Sequence, residues 1–305
     1  MSVAATRERP PAPGVALVVA TVAVSFSAIL IRFANDDAAT IVWLRMGMAA
    51  VVLLPWVLRD VRRHVIPRGR TQVLLVVVSG VLLAGHFLLW TASLKYTSIA
   101  ASVLLVSVHP IIVTPLGRRL LGERVSRRIL VAVVVALIGM VVTCAGDFRV
   151  GGSAFVGDAL AIGGAVCLAG YLLIGRGVRA ELGVAGYSAV VYAVVCLVAA
   201  LTALAGGAAH FPSPKVALAC LGLAVICTIG GHTVYNWALR HVQVLLVSLS
   251  FLGEPPLAAL LALVFFGAVP SLGTIAGGVL IIAGLALALI EPRTWSRRAD
   301  IALNG

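Results

Sequence analysis

Residues 231–289 read GHTVYNWALRHVQVLLVSLSFLGEPPLAALLALVFFGAVPSLGTIAGGVLIIAGLALAL, and residues 85–142 read GHFLLWTASLKYTSIAASVLLVSVHPIIVTPLGRRLLGERVSRRILVAVVVALIGMVV. The two stretches are twins. Leu94-Lys95-Tyr96 aligns with Leu239-Arg240-His241, His109-Pro110 with Glu254-Pro255, Gly122 with Gly267, and Ile138-Gly139 with Ala283-Gly284, each pair 145 residues apart. Solenoid repeats have periods of ~20–50 residues, so this spacing marks a duplicated half-chain. Duplicated halves in an apolar chain are how many transporters are built.

The chain has 305 residues, 61% hydrophobic and 11% charged. Soluble proteins are about 25% charged and 45–50% apolar, so the bilayer must solvate most of this one. The net charge of +12 lies in loops between apolar runs, where it sets orientation and does not mark a nucleic-acid binder. Cys144, Cys167, Cys196, Cys220 and Cys227 sit inside apolar runs without metal-ligand spacing and read as small core residues. No phosphate-binding glycine loop, catalytic triad or zinc spacing is present, so no cofactor, metal or enzymatic activity is expected.

A helix crossing ~30 Å of hydrocarbon at 1.5 Å per residue needs ~20 apolar residues. Ten such runs occur, at 14–33, 39–58, 72–93, 98–117, 128–145, 155–175, 185–206, 215–238, 243–266 and 271–290. Hydrocarbon offers the backbone no partner, so an all-α integral membrane protein of ten transmembrane helices is predicted. The first run follows Arg7 and Arg9 like a signal sequence, but it has the length of a span and a counterpart in the second half. It is read as an uncleaved span.

Basic residues orient the bundle. Of 23 Lys and Arg, 18 fall on one side, among them Arg59, Arg62, Arg63, Arg118, Arg119, Arg124, Arg179, Arg293 and Arg298. Arg32, Lys95, Arg149 and Lys215 fall on the other. Both termini are therefore expected in the cytoplasm, in the cell membrane. Five spans per half is an odd number, so the second half enters from the opposite face. The predicted halves, 1–147 and 148–305, are inverted repeats that meet near 148–157, with a site between them reachable from either side.

A charge inside a span costs ~2.5–3.5 kcal/mol on insertion scales and needs a partner or a cavity. Arg45 and Glu254 meet that description, whereas Arg32, at a span end, reads as snorkelling. Arg45 serves either structure or a substrate carboxylate. Glu254 precedes Pro255-Pro256, which frees backbone carbonyls, and its twin His109 precedes Pro110. A titratable group before a broken helix in each half points to a binding site, with Glu254 as the coupling group for protons. His86 and Trp90 share one helix face, as do His232, Tyr235 and Asn236, with Trp237 beside them. Interfacial anchoring remains open for the tryptophans and interhelical hydrogen bonding for the histidines. Tyr171, Ser25 and Ser27 are weaker candidates. Gly273-x-x-x-Gly277 reads as close helix packing, which does not by itself identify a dimer interface or an oligomeric state.

The runs Pro110, Leu121-Gly122-Glu123-Arg124 and Ile138-Gly139, then Leu252-Gly253-Glu254-Pro255, Gly267 and Ala283-Gly284, resemble the drug/metabolite transporter superfamily, and within it the EamA-type permeases. Trp43-Leu44-Arg45 resembles that family's arginine-containing second helix. The resemblance covers nearly the whole chain. It departs at Ala268, where the second half lacks a counterpart of Glu123, which is read as pairing with nearby arginines. The resemblance implies a secondary transporter of small organic metabolites, many members resembling amino-acid exporters. The expected partners are a small-molecule substrate, the lipid bilayer and protons. The alternatives are an uncoupled facilitator of sugars, nucleotides or drugs, and, in another class, a non-transporting membrane partner or a membrane-embedded enzyme.

Overall fold

The computed structural model describes residues 13–93, 95–97, 99–144, 152–207, 210 and 212–289. The expectations placed on Arg7, Arg9, Leu94, Arg149, Arg293, Arg298 and residues 148–151 lie outside them. The described residues are helical, with no strand among them. In order, α1 spans Pro13–Ser25, α2 Ser27–Ala34, α3 Ala38–Arg62, α4 Arg70–Ser93, α5 Ile99–Val106, α6 His109–Leu121, α7 Arg127–Cys144, α8 Gly152–Val178, α9 Val184–Ala205 and α10 Pro214–Gly222. A π-helix, Leu223–Thr233, then leads into α11, Val234–Ala238. After α12, Val244–Ser250, a 3-10 turn at Phe251–Gly253 leads into α13, Glu254–Phe266, and α14 closes the series at Leu272–Leu289. Among the described residues nine helical segments are long and apolar enough to cross a membrane. The remaining expected run, 128–145, is occupied by α7.

Breaks fall where the chemistry of the side chains puts them. His109 and Glu254 are the first residues of α6 and α13, each with proline in the first helical turn. Proline is tolerated there because its missing N–H would be unpaired anyway. Both helices have 13 residues and end on a left-handed glycine, Gly122 at φ 66° and Gly267 at φ 67°. Only glycine takes that cap without a Cβ penalty. Asp37 starts α3 by accepting the Ala39 N–H at 2.9 Å.

The eighth span, read as 215–238, is interrupted by the π-helix. Through its middle, hydroxyls reach carbonyls five residues back: Thr228 donates to Leu223 O at 3.0 Å and Thr233 to Thr228 O at 3.1 Å. Such side-chain bonds compete with the helix ladder, and wide turns of this kind recur at functional sites. Gly231 lies in the wide turn, and a Cβ there would stand 2.5 Å from Val24 Cγ1, so its absence lets α1 pack against this segment.

Packing pairs α4 with α8, α3 with α9, α7 with α14, α1 with the π-helix and α6 with α12. The α7–α14 contact is backbone to backbone. A Cβ on Gly139 would lie 2.6 Å from Gly277 O, and one on Gly284 2.7 Å from Ala132 O. A Cβ on Gly277 would collide with Thr143 Oγ1 and Gly139 O, whereas one on Gly273 would stand 3.1 Å from Val142 O. Gly277→Ala is therefore expected to destabilise the detergent-solubilised protein by about 2 kcal/mol, read as a fall in its thermal midpoint. Gly273→Ala should lower the midpoint much less. Equal effects would mean that the α7–α14 seam is not so tightly packed.

Candidate functional site

Arg45 projects from α3 with 3% of its surface exposed. Its Nε donates to Thr228 Oγ1 at 2.7 Å, so the hydroxyl of the π-helix meets the guanidinium directly. Its guanidinium carbon sits 4.9 Å from the centre of the Phe87 ring, a cation–π contact. Its Nη2 is buried without a hydrogen-bond partner, and among the described residues no carboxylate pairs with it. A guanidinium carries five N–H donors, so this one is under-satisfied where desolvation is most costly.

Rings line the path from Arg45 to the two helix breaks. Phe87 meets His232 at 5.3 Å, and His232 meets Phe251 at 5.8 Å. Phe251 in turn meets His109 at 5.9 Å and Tyr235 at 4.2 Å. On the other side of Phe87, His86 lies at 5.1 Å and stacks with Trp90 at 6.3 Å. The His232 Nδ1, the Trp90 indole nitrogen and the Ser248 hydroxyl are buried without partners. Buried polar groups normally have partners, so these unpaired atoms set the cluster apart from the rest of the core.

The two titratable residues at the breaks behave differently. Both ring nitrogens of His109 face carbonyl oxygens, Nδ1 that of Val106 and Nε2 that of Ser248, each at 3.1 Å. A neutral imidazole has one N–H, so only the doubly protonated ring donates to both. With a single N–H, His109 donates to one of the two, the carbonyl that ends α5 or that of α12. Glu254 is half-buried at the start of α13; its carboxylate makes no hydrogen bond or ion pair with any described residue, yet it lies within electrostatic reach of Arg45.

Arg45, His86, Trp90, His109, His232 and Tyr235 are thus brought together around Phe87 and Phe251, with Glu254 at its edge. Tyr235 is already bonded there, its hydroxyl 2.8 Å from Thr21 Oγ1. Asn236 belongs to a separate knot. Tyr171 donates to its Oδ1, and its Nδ2 donates to Ser188 Oγ at 3.0 Å, so its amide is already taken up. Trp237 packs on His241 at 4.2 Å, at the loop end of its span, outside the cluster. Of the weaker candidates, Ser25 donates to Thr21 O at 2.7 Å. Arg32 is exposed and lies over the Phe266 ring at 4.6 Å, in keeping with a snorkelling role.

Sequence reasoning missed Phe87, Phe251, Thr228 and Thr21. Phe87 adjoins His86, and Phe251 lies three residues before Glu254, a spacing that puts it on the same helical face. Arg179, counted among loop arginines, is 2% exposed and donates from Nε to Asn236 O at 2.9 Å and from Nη1 to Leu182 O. Burial, reinforced by nearby Arg240, lowers its pKa to about 10, which leaves it charged at neutral pH.

The arginine-rich end of the bundle is tied across the two halves of the chain. Glu123 accepts from Arg176 Nε at 2.7 Å and from the Val244 N–H at 3.0 Å. Its partner is thus not the neighbouring arginine run but an arginine on α8. Gln243 Nε2 donates to Arg124 O at 3.1 Å, Gly186 N–H to Asp60 at 2.9 Å, and Gly183 N–H to Val65 O at 2.7 Å. At the opposite end Thr97 donates to Asp158 at 2.8 Å and His210 meets Asp36 at 2.9 Å. Yet α13 buries none of its residues, while its counterpart α6 buries His109, Pro110, Val113 and Gly117.

A multi-pass bundle with an orphaned cation, broken helices and a buried aromatic cluster has the parts of a transporter. Comparison with known proteins agrees. A relative from Archaeoglobus fulgidus, named an uncharacterized transporter, is 25% identical over 284 residues, 90% of this chain and 96% of its own length. A solved crystal structure shares the fold, with a TM-score of 0.77 at 22% identity, covering 93% of this chain and 99% of that one. The sequence matches the EamA-like transporter family over residues 13–145 and 155–290. This multi-pass membrane protein therefore belongs to the EamA-like transporter family of the drug/metabolite transporter superfamily.

Proposed function

We propose that the protein moves a small zwitterionic metabolite, an amino acid first among candidates, outward across the cell membrane by alternating access, coupled to protons. The observation that carries this is the nearness of Arg45, with a buried nitrogen lacking a partner, to Glu254, whose carboxylate bonds no described residue. Ligand carboxylate on Arg45 and ligand ammonium near Glu254 would satisfy both, and the rings of Phe87, His232 and Phe251 would cover the apolar remainder. His86 and Trp90 complete the wall on the far side of Phe87. Asn236, Tyr235 and Trp237 take supporting roles, holding the eighth span in place.

The architecture behind this is two inverted five-helix repeats, 1–147 and 148–305, with α7 as the tenth span and both termini in the cytoplasm. Two observations support it. The helix pairs exchange into one another when the halves are swapped: α1 with the π-helix becomes α8 with α4, and α3–α9, α6–α12 and α7–α14 each join corresponding spans. The left-handed caps at Gly122 and Gly267 are the same in kind. The tied arginine-rich end fits a state closed to the cytoplasm.

Binding tests the site apart from transport. A zwitterion is expected to raise the thermal midpoint of the purified protein at concentrations at least thirtyfold below those needed for the matching amine or the matching acid, since leaving a buried charge unpaired costs about 2–5 kcal/mol. Equal stabilisation by the acid alone would remove Glu254 from the site. For coupling, Glu254→Gln in proteoliposomes should lose accumulation driven by a pH gradient. Retained accumulation would move the coupling role elsewhere, His109 being the next group to replace.

A further inference from the structure

We infer that the cleft between α6 and α7 at the arginine-rich end is a binding site for the phosphate headgroup of an anionic phospholipid. The cleft encloses about 960 Å³ and is lined by Arg118, Arg119 and Arg124 with Thr114. None of the three arginine side chains makes an ion pair or hydrogen bond to a described residue. The carboxylate in the lining, Glu123, cannot neutralise them, because Arg176 and the Val244 N–H already hold it. Arg128 is not part of the lining and donates from Nε to Leu287 O at 3.0 Å. Three unpaired guanidiniums around one concavity suit a phosphate, which accepts from their planar forks.

What surrounds the cleft selects a lipid over a soluble anion. Toward the bilayer from the arginines α6 exposes Ile111, and α7 exposes Leu130, Val131 and Val134. These apolar side chains lie on segments read as crossing the bilayer, where they can only meet acyl chains. A molecule with phosphate at the arginines and hydrocarbon along α6 and α7 matches both surfaces. The position also matters for motion, since Glu123 and its cross-half bonds sit in the wall of the same cleft.

Native mass spectrometry tests this on the purified protein mixed with equal amounts of phosphatidylglycerol and phosphatidylcholine. The wild type is expected to retain phosphatidylglycerol preferentially. Arg118→Gln, Arg119→Gln and Arg124→Gln together should lower that preference on the order of a hundredfold, at about fivefold per arginine. The control removes Arg59, Arg62 and Arg63, exposed at the end of α3 and away from the cleft, by the same change to Gln. It should keep the preference. Equal loss in both variants would reduce the effect to overall surface charge and overturn the site. Displacement of the lipid by inorganic phosphate would overturn it as well, by making the cleft a site for a soluble anion.

Discussion

Arg45→Met is expected to abolish transport, lowering it at least a hundredfold, while leaving the protein as stable as the wild type or more so. The two effects have opposite signs because the side chain is under-satisfied. Its Nε has Thr228, its face has Phe87, and its Nη2 has nothing. Holding such a charge in a spanning helix costs ~2.5–3.5 kcal/mol on insertion scales, and methionine, flexible and apolar, fills the space without that cost. A structural arginine behaves otherwise, since deleting one member of a satisfied buried network typically destabilises by about 3–5 kcal/mol. Thermal midpoint and flux, measured on the same preparation, separate the two. Arg45→Lys should fall between, keeping the charge but losing the planar fork that suits a carboxylate. A lower midpoint with retained flux would make Arg45 a packing residue.

Glu123→Ala is expected to unlatch the arginine-rich end. The carboxylate joins the turn after α6 to Arg176 on α8 and to the backbone N–H that opens α12. Removing hydrogen bonds to a charged group costs about 2 kcal/mol, roughly thirtyfold in the balance between closed and open forms at this end. Ser248 is buried on α12 beneath the latch and makes a sensitive reporter. In a background without native cysteines, Ser248→Cys should be labelled by a membrane-impermeant thiol reagent from the arginine-rich side at least tenfold faster when Glu123 is alanine, in line with that shift. Unchanged labelling would mean the remaining bonds, Gln243 to Arg124 and Gly186 to Asp60, hold the end closed by themselves. The second half has Ala268 at the corresponding position, so Glu123 has no counterpart at the opposite end, where Thr97–Asp158 and His210–Asp36 join the halves instead. That asymmetry makes Glu123 a device of one face only.

The apolar runs were legible because the bilayer imposes length and hydropathy on each span independently. The twin breaks were legible too, since a proline writes its backbone effect into the sequence at a known place: His109 and Glu254 begin α6 and α13. Arg45 was legible as a charge inside a span, His109 as the twin of Glu254, and His86 and His232 by the faces they share with Trp90 and Tyr235. The wide turn at Leu223–Thr233 was not legible, because it depends on where Thr228 and Thr233 find carbonyls once α1 presses on Gly231. Nor was the burial of Arg179, whose Nε partner comes from α11, distant in sequence. Trp237 and Asn236 show the limit of face arguments: four residues on one helix segment divide among the aromatic cluster, the Tyr171 knot and His241. Glu123 was expected to meet an arginine, but which one depended on how the halves pack.

The central claim is that the site between the halves carries a zwitterion across the membrane using a proton gradient. Flux of a labelled amino-acid panel into proteoliposomes, with and without an imposed pH gradient, tests it most directly. The expected result is protein-dependent accumulation of at least one amino acid above its external concentration, only while the gradient lasts, and absent with Arg45→Met. Flux of every amino acid at the level of protein-free vesicles, gradient or not, would contradict it.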